Sequence, residues 1–131
     1  MEHLIQRLQT AQQALGTLEE LSGIKKPSEV ERDAAIQRFE YTVEASWKAA
    51  RNFLRTVEGI ESNSPKGVIR RLRENGLLSE EEAILALEMI DDRNLTSHTY
   101  NKEIAEALFA RIPSYVCLLN SWLGAMFNRC C

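Results

Sequence analysis

SEEEAILALEMIDDRNLTSHTY, residues 79–100, holds the most sharply signed helix start in the chain and, at its far end, an abrupt change of chemistry. Ser79 stands where an N-cap belongs, and Glu82 three positions on completes a capping box, each side chain accepting from the other residue's amide. Glu80 and Glu81 add negative charge at the positive end of the helix dipole. From Ala83 to Ile90 every residue except Glu88 is apolar, so this helix is hydrophobic around most of its circumference and needs cover on two sides. One bundle core covers only one. The second cover is a homodimer or partner interface, or equally a further helix packed across it; the interface is the expectation carried forward.

Working outward, residues 2 to 22 repeat Leu4, Leu8, Ala11, Leu15 and Leu18 at a three-to-four spacing, which draws one stripe along a helix stopped by Gly23 and Pro27. A longer helix starts at Ser28 or Asp33 and runs to Glu58, with Ile36, Phe39, Val43, Trp47, Ala50, Leu54 and Val57 inward; Gly59 ends it. Ser64-Pro65 opens a short helix that Asn75-Gly76 closes. The last begins near Asn101, carries Ile104, Leu108, Phe109, Ile112, Val116, Leu119, Leu123 and Met126 inward, and is expected to kink or restart at Pro113. No strand alternation or internal repeat interrupts this pattern. The expected fold is all-α: one domain over 1-131, an up-and-down four-helix bundle with an additional short helix.

Composition narrows the function. Sixteen Lys and Arg against nineteen Asp and Glu give a formal charge of -3, so any contact with RNA depends on a local patch and not on an overall positive field. Neither a signal-peptide core nor a bilayer-length apolar run is visible, and a cytoplasmic protein without membrane contact is expected. Cys117, Cys130 and Cys131 form no C-x-x-C spacing, and His3 and His98 lie far apart, so neither a metal site nor a disulfide framework is expected. The terminal Cys130-Cys131 pair reads as reduced thiols, and no cofactor is called for.

The polar run from Asp91 to Tyr100 is the anomaly. Arg93 and His98 would not meet on one straight helix; unwinding near Thr96, or a two-fold axis joining two chains, would bring them together. A fixed cation beside an imidazole suits RNA phosphodiester cleavage without metal: the histidine moves a proton and the guanidinium stabilises charge on phosphate. The competing account is a helix C-terminus capped by Asn94, Thr96 and Ser97, with the cations favoured there by the dipole and Tyr100 simply half-buried.

Other residues carry two readings each. Glu40, Glu44 and Lys48 form a one-turn ladder on the second helix, either solvated or with Glu40 or Glu44 facing the bundle and orienting Arg93. Lys66, Arg70, Arg71 and Arg73 make the third helix basic, and Lys48, Arg51 and Arg55 add a stripe: an RNA or partner surface, or ordinary solubility. Trp47 and Trp122 fall at core spacings and read as packing. His3 reads as an exposed terminal residue.

Arg93-Asn94-x-x-x-His98 followed by Tyr100, preceded by Arg38-Phe39-Glu40-Tyr41, by Glu44-x-x-Trp47-Lys48 and by Ser64-Pro65, resembles the HEPN superfamily, in particular its nucleotidyltransferase substrate-binding branch. The likeness spans nearly the whole chain in element order. It implies a four-helix up-and-down core, a homodimer whose two motifs line one cleft, and a separately encoded minimal nucleotidyltransferase as partner. In related toxin and antitoxin pairs the helical protein is a metal-independent ribonuclease toxin, silenced when the transferase attaches AMP to a tyrosine matching Tyr100. On that likeness Arg93 holds phosphate, Asn94 orients it, His98 is acid or base, and Tyr100 accepts the nucleotide. The branch also implies an alternative, a non-catalytic subunit that binds substrate for the transferase. The chain has neither the Gly-Ser phosphate-cradling start nor the Asp-x-Asp pair of the transferase itself.

If the basic third helix is a contact surface, reversing Arg70 and Arg71 to Glu weakens RNA or partner binding; a pull-down with unchanged affinity would remove that reading.

Overall fold

The protein, seen in a computed structural model that describes residues 1–130, is built from helices alone among those residues. Cys131, half of the terminal thiol pair, lies outside them. The helices are α1 (Glu2–Ser22), α2 (Glu29–Phe53), α3 (Pro65–Glu74), α4 (Glu80–Asn94) and α5 (Lys102–Cys130). Four are long and α3 is short, so the all-α four-helix bundle with one additional helix is what the chain forms.

Local chemistry fixes most boundaries. Ser28 starts α2: its hydroxyl accepts from the Glu31 amide at 3.0 Å and its own amide donates to Glu31 at 2.8 Å, which selects Ser28 over Asp33. Ser79 and Glu82 make the same reciprocal pair at the start of α4, at 3.1 and 2.9 Å. Ser64 caps α3 by accepting from Gly67 at 3.1 Å. The second helix does reach Glu58, but its last five residues, Leu54–Glu58, wind as a π-helix before Gly59 closes it at φ 68. Periodicity could not reveal that wider turn, and only glycine adopts the left-handed closure without strain.

Pro113 neither restarts nor divides the last helix, which runs unbroken from Lys102 to Cys130. The proline faces solvent. Buried Ile112, Tyr115 and Val116 hold the helix to the core on either side of it.

In the packing, α1 lies along α2 and both rest on α5; α3 pairs with α4, which leans on α5 and α2. The stripe Leu4, Leu8, Ala11, Leu15 and Leu18 is buried as its spacing requires. Phe39 stacks on Tyr115 at 5.5 Å between centroids, and Trp47 and Trp122 are buried in the core. Helix α4 buries Ala83, Ala86, Met89 and Ile90, and half-buries Leu85 and Leu87. Ile84 is the one apolar residue of that run that stands open, 54% exposed. Most of the second cover thus comes from the chain's own α3 and α5. No helix among the described residues is long and apolar enough to cross a membrane.

Phe39→Ala removes the ring at the α2–α5 contact and is expected to lower unfolding stability by about 3–5 kcal/mol, read from urea titration.

Candidate functional site

At the end of α4 the helix tightens instead of continuing. The hydroxyl of Thr96 donates to the Arg93 carbonyl at 2.8 Å, and that of Thr99 to the Thr96 carbonyl at 3.0 Å. These threonines satisfy carbonyls that the helix leaves open. A single 3-10 turn, Thr96–His98, follows, and Asn101 then caps α5 by accepting from the amides of Glu103 and Ile104 at 3.0 and 3.3 Å. Thr96 caps the helix end as the competing account required, whereas Asn94 and Ser97 stay exposed.

Arg93 turns inward from this end. Its Nη2 lies 3.0 Å from Glu44 Oε1, and its side chain is 31% exposed. Glu44 also accepts from the Trp47 indole N–H at 3.1 Å and pairs with Lys48 at 3.4 Å. Burial alone would raise the Glu44 pKa; the Trp47 hydrogen bond and the Arg93 and Lys48 charges outweigh it and hold the carboxyl below its ordinary value. Arg93 Nε is shielded from water without a hydrogen-bond partner among the described residues. Of the two ladder carboxylates, Glu44 reaches the motif and Glu40 makes no ion pair or hydrogen bond with it.

His98, at the end of the turn, and Tyr100, beyond it, stand in solvent, their rings edge to face with centroids 6.2 Å apart. Tyr100 is 86% exposed and not half-buried as the competing account had it, because the turn ends before any helix face can cover its ring. No hydrogen bond joins Arg93 to His98 among the described residues, so unwinding near Thr96 does not by itself pair them. On α3, Lys66 is engaged by Asp91 at 2.6 Å and Arg71 by Glu74 at 2.8 Å, which leaves Arg70 and Arg73 as that helix's uncompensated cations among the described residues. Arg51 covers the Trp47 ring at 5.0 Å. No three His, Cys, Asp or Glu side chains among the described residues gather as a metal site.

One cluster beside the motif escaped the sequence reading. Asp92 is 7% exposed and receives a two-pronged contact from Arg111, Nε to Oδ2 at 2.7 Å and Nη2 to Oδ1 at 2.8 Å. The buried Tyr115 hydroxyl also donates to Asp92. Burial, then the adjacent carboxylate, push the Tyr115 phenol well above its ordinary value, while the bond to Asp92 raises the Arg111 pKa. A sequence signal existed: Asp92 lies three residues from Met89, in the buried phase of an apolar helix, where a carboxylate requires a cation. The pairing joins the last turn of α4 to the middle of α5, directly behind Arg93.

Residues 6–127 match the family described as nucleotidyltransferase substrate binding protein like. A Thermus thermophilus protein of solved structure is 59% identical, with 88% of this chain and 98% of that one aligned and a TM-score of 0.87. A Haemophilus influenzae protein named probable ribonuclease HepT is 33% identical over 86 residues. That match takes in 63% of this chain and 58% of the relative's length. A tri-AMPylated Shewanella oneidensis HEPN toxin, solved in complex with an MNT antitoxin, shares the fold at 14% identity and a TM-score of 0.78, over 95% of this chain and 96% of its own.

Tyr115→Phe deletes one donor to Asp92 and is expected to cost about 1 kcal/mol near neutral pH. The raised phenol pKa makes the hydroxyl's contribution full below the ordinary tyrosine value of 10.0 and lost as pH climbs past it, because the unfolded chain ionises first. Denaturation followed from neutral to strongly alkaline pH should therefore show a smaller alkaline loss in the variant.

Proposed function

The chain belongs to the family of nucleotidyltransferase substrate binding protein like proteins, and from that membership we propose that it is the HEPN-type partner of a separately encoded minimal nucleotidyltransferase. In this reading it is a metal-independent ribonuclease toxin, acting in the cytoplasm as a homodimer and neutralised by nucleotidylation of Tyr100. The observation that carries the proposal is Arg93, held by Glu44 at 3.0 Å, one short turn before the exposed His98 and Tyr100. The HepT relative and the AMPylated toxin lend support by name and by fold respectively.

His98 takes the proton from a ribose 2′-hydroxyl, and the 2′-oxygen attacks the neighbouring phosphorus. The bond from phosphorus to the 5′-oxygen breaks, and the imidazolium returns the proton to that leaving oxygen. The products are a 2′,3′-cyclic phosphate and a 5′-hydroxyl. Arg93 lies against the phosphate oxygens where charge grows, and Asn94 donates to the same group. Glu44 fixes the guanidinium's orientation in advance, so less ordering remains when RNA binds. A two-fold axis that sets two such motifs together supplies the second Arg and His of a shared cleft.

In neutralisation the phenol oxygen of Tyr100 attacks the α-phosphorus of a nucleoside triphosphate held by the transferase. Pyrophosphate leaves, the phenolic proton passes to solvent, and a tyrosyl phosphodiester remains. The exposure of Tyr100 fits an acceptor that must enter another protein's active site.

A second reading, a non-catalytic subunit that binds substrate for the transferase, draws on a specific feature: among the described residues no carboxylate or carbonyl orients the His98 ring by a hydrogen bond, as a general base ordinarily requires. Incubation of labelled RNA in EDTA with the purified chain separates the two. Cleavage that falls by about 100-fold or more in His98→Ala, on the order expected for loss of a general base, supports the toxin; no cleavage by either protein transfers the assignment to the binding subunit. Glu44→Gln in the same assay is expected to slow cleavage by about 10-fold while leaving the fold intact.

A further inference from the structure

Behind Tyr100 the start of α2 and the start of α5 form a cleft of about 450 Å³, to which Glu29, Arg32, Asp33, Tyr100, Lys102 and Glu106 contribute. A smaller chamber of about 240 Å³ adjoins it, sharing Pro27 and Arg32 and adding Phe109. The two cations are poorly matched where they stand. Arg32 Nη1 and Lys102 Nζ approach the same Glu106 oxygen at 3.8 and 3.7 Å, too far for hydrogen bonds. Arg32 is only 12% exposed, and its Nε is shielded from water with no acceptor among the described residues. A buried donor left in that state is costly, and an anionic oxygen entering beside Glu106 would give the guanidinium a hydrogen-bond partner at Nη1.

The lining also specifies which anion. Three carboxylates, Glu29, Asp33 and Glu106, face the two cations, so a dianion is disfavoured, whereas a singly charged phosphodiester carrying sugar hydroxyls would place its phosphate on Arg32 and Lys102 and donate hydroxyls to Glu29 and Asp33. Pro27 and Phe109 offer the apolar surface that a base requires. We propose that this cleft is a seat for a nucleoside 5′-phosphodiester, and that its occupant is the nucleotidyl group carried by Tyr100, which folds back from its exposed hydroxyl between α2 and α5. This second clause rests on the reading of Tyr100 as nucleotide acceptor. Docking there gives the modification an ordered conformation that covers the face around Thr99 and Tyr100. Because the group is tethered, millimolar intrinsic affinity is enough to keep it seated.

The probe is the methyl ester of adenosine 5′-monophosphate, which has the single charge of the tyrosyl diester, titrated into the intact chain and followed by backbone amide resonances. Saturable shifts at Arg32, Thr99, Tyr100 and Lys102 are expected, with dissociation constants of about millimolar or tighter. Inorganic phosphate should shift the same amides less. Lys102→Glu, at a solvent-exposed position that the fold does not need, is expected to weaken binding by about 10-fold, and Arg32→Gln by at least as much. No saturable shift, or shifts that Lys102→Glu leaves unchanged, would overturn the seat. Tyr100→Phe must retain diester binding, since the cleft and not the acceptor hydroxyl holds the probe; its loss there also counts against the proposal. The mass of Tyr100 after co-expression with the transferase tests the acceptor separately. An unmodified Tyr100 with a diester-binding cleft sinks the acceptor reading and the tethered occupant; a modified Tyr100 with an empty cleft sinks the seat alone.

Discussion

A carboxylate buried on an apolar helix governs the geometry of this molecule. Asp92 has almost no water around it, so its charge is tolerable only because Arg111 meets both oxygens and Tyr115 donates a further hydrogen bond. Removing Arg111 would leave a buried charge whose desolvation the Tyr115 hydrogen bond alone does not offset. The three side chains therefore act as one joint between α4 and α5. That joint sets where α4 ends relative to the core, and the polar segment begins at its end.

From that fixed point the site follows in short steps. Arg93 is the next residue along α4, so pinning Asp92 to α5 directs Arg93 toward α2, where Glu44 receives it. Glu44 in turn is held by Trp47 and Lys48, one face of α2 providing both the hydrophobic floor and the polar grip. The threonine hydroxyls of Thr96 and Thr99 then turn the chain through a 3-10 turn and deliver His98 and Tyr100 to the surface. A rigid cation is thus joined to an exposed imidazole and an exposed phenol by a few residues of tightly wound backbone. In the proposed function this division would leave the phosphate grip preorganised and the reactive groups free to meet other molecules.

The same turn opens α5 against the start of α2, and this is why a cleft forms behind Tyr100. Capping at Ser28 and Asn101 brings two helix starts to one place, and side chains in their first turns, Arg32 and Lys102, share a single distant carboxylate. Two helix ends thus build this cleft, whereas the grip on Arg93 comes from a helix face.

The sequence by itself determined the helices, their order and most of their ends, because these depend on interactions within one turn: the leucine stripe of α1, the Ser28, Ser64 and Ser79 caps, and the glycine at 59. It also singled out Arg93, His98 and Tyr100, since polar residues after an apolar helix are visible without coordinates. Pro113 did not restart the last helix, because buried residues on either side of it hold α5 to the core, and that hold is a property of the packed chain. The π turn at Leu54–Glu58 was invisible for a similar reason: a single widened turn leaves the apolar spacing nearly unchanged. Only the tertiary structure chose Glu44 over Glu40 as the partner of Arg93, joined Asp92 to Arg111 and Tyr115 across about twenty residues, and covered α4 with α3 and α5. Those pairings are decided by which helix faces meet in space, and one chain's periodicity does not contain that information.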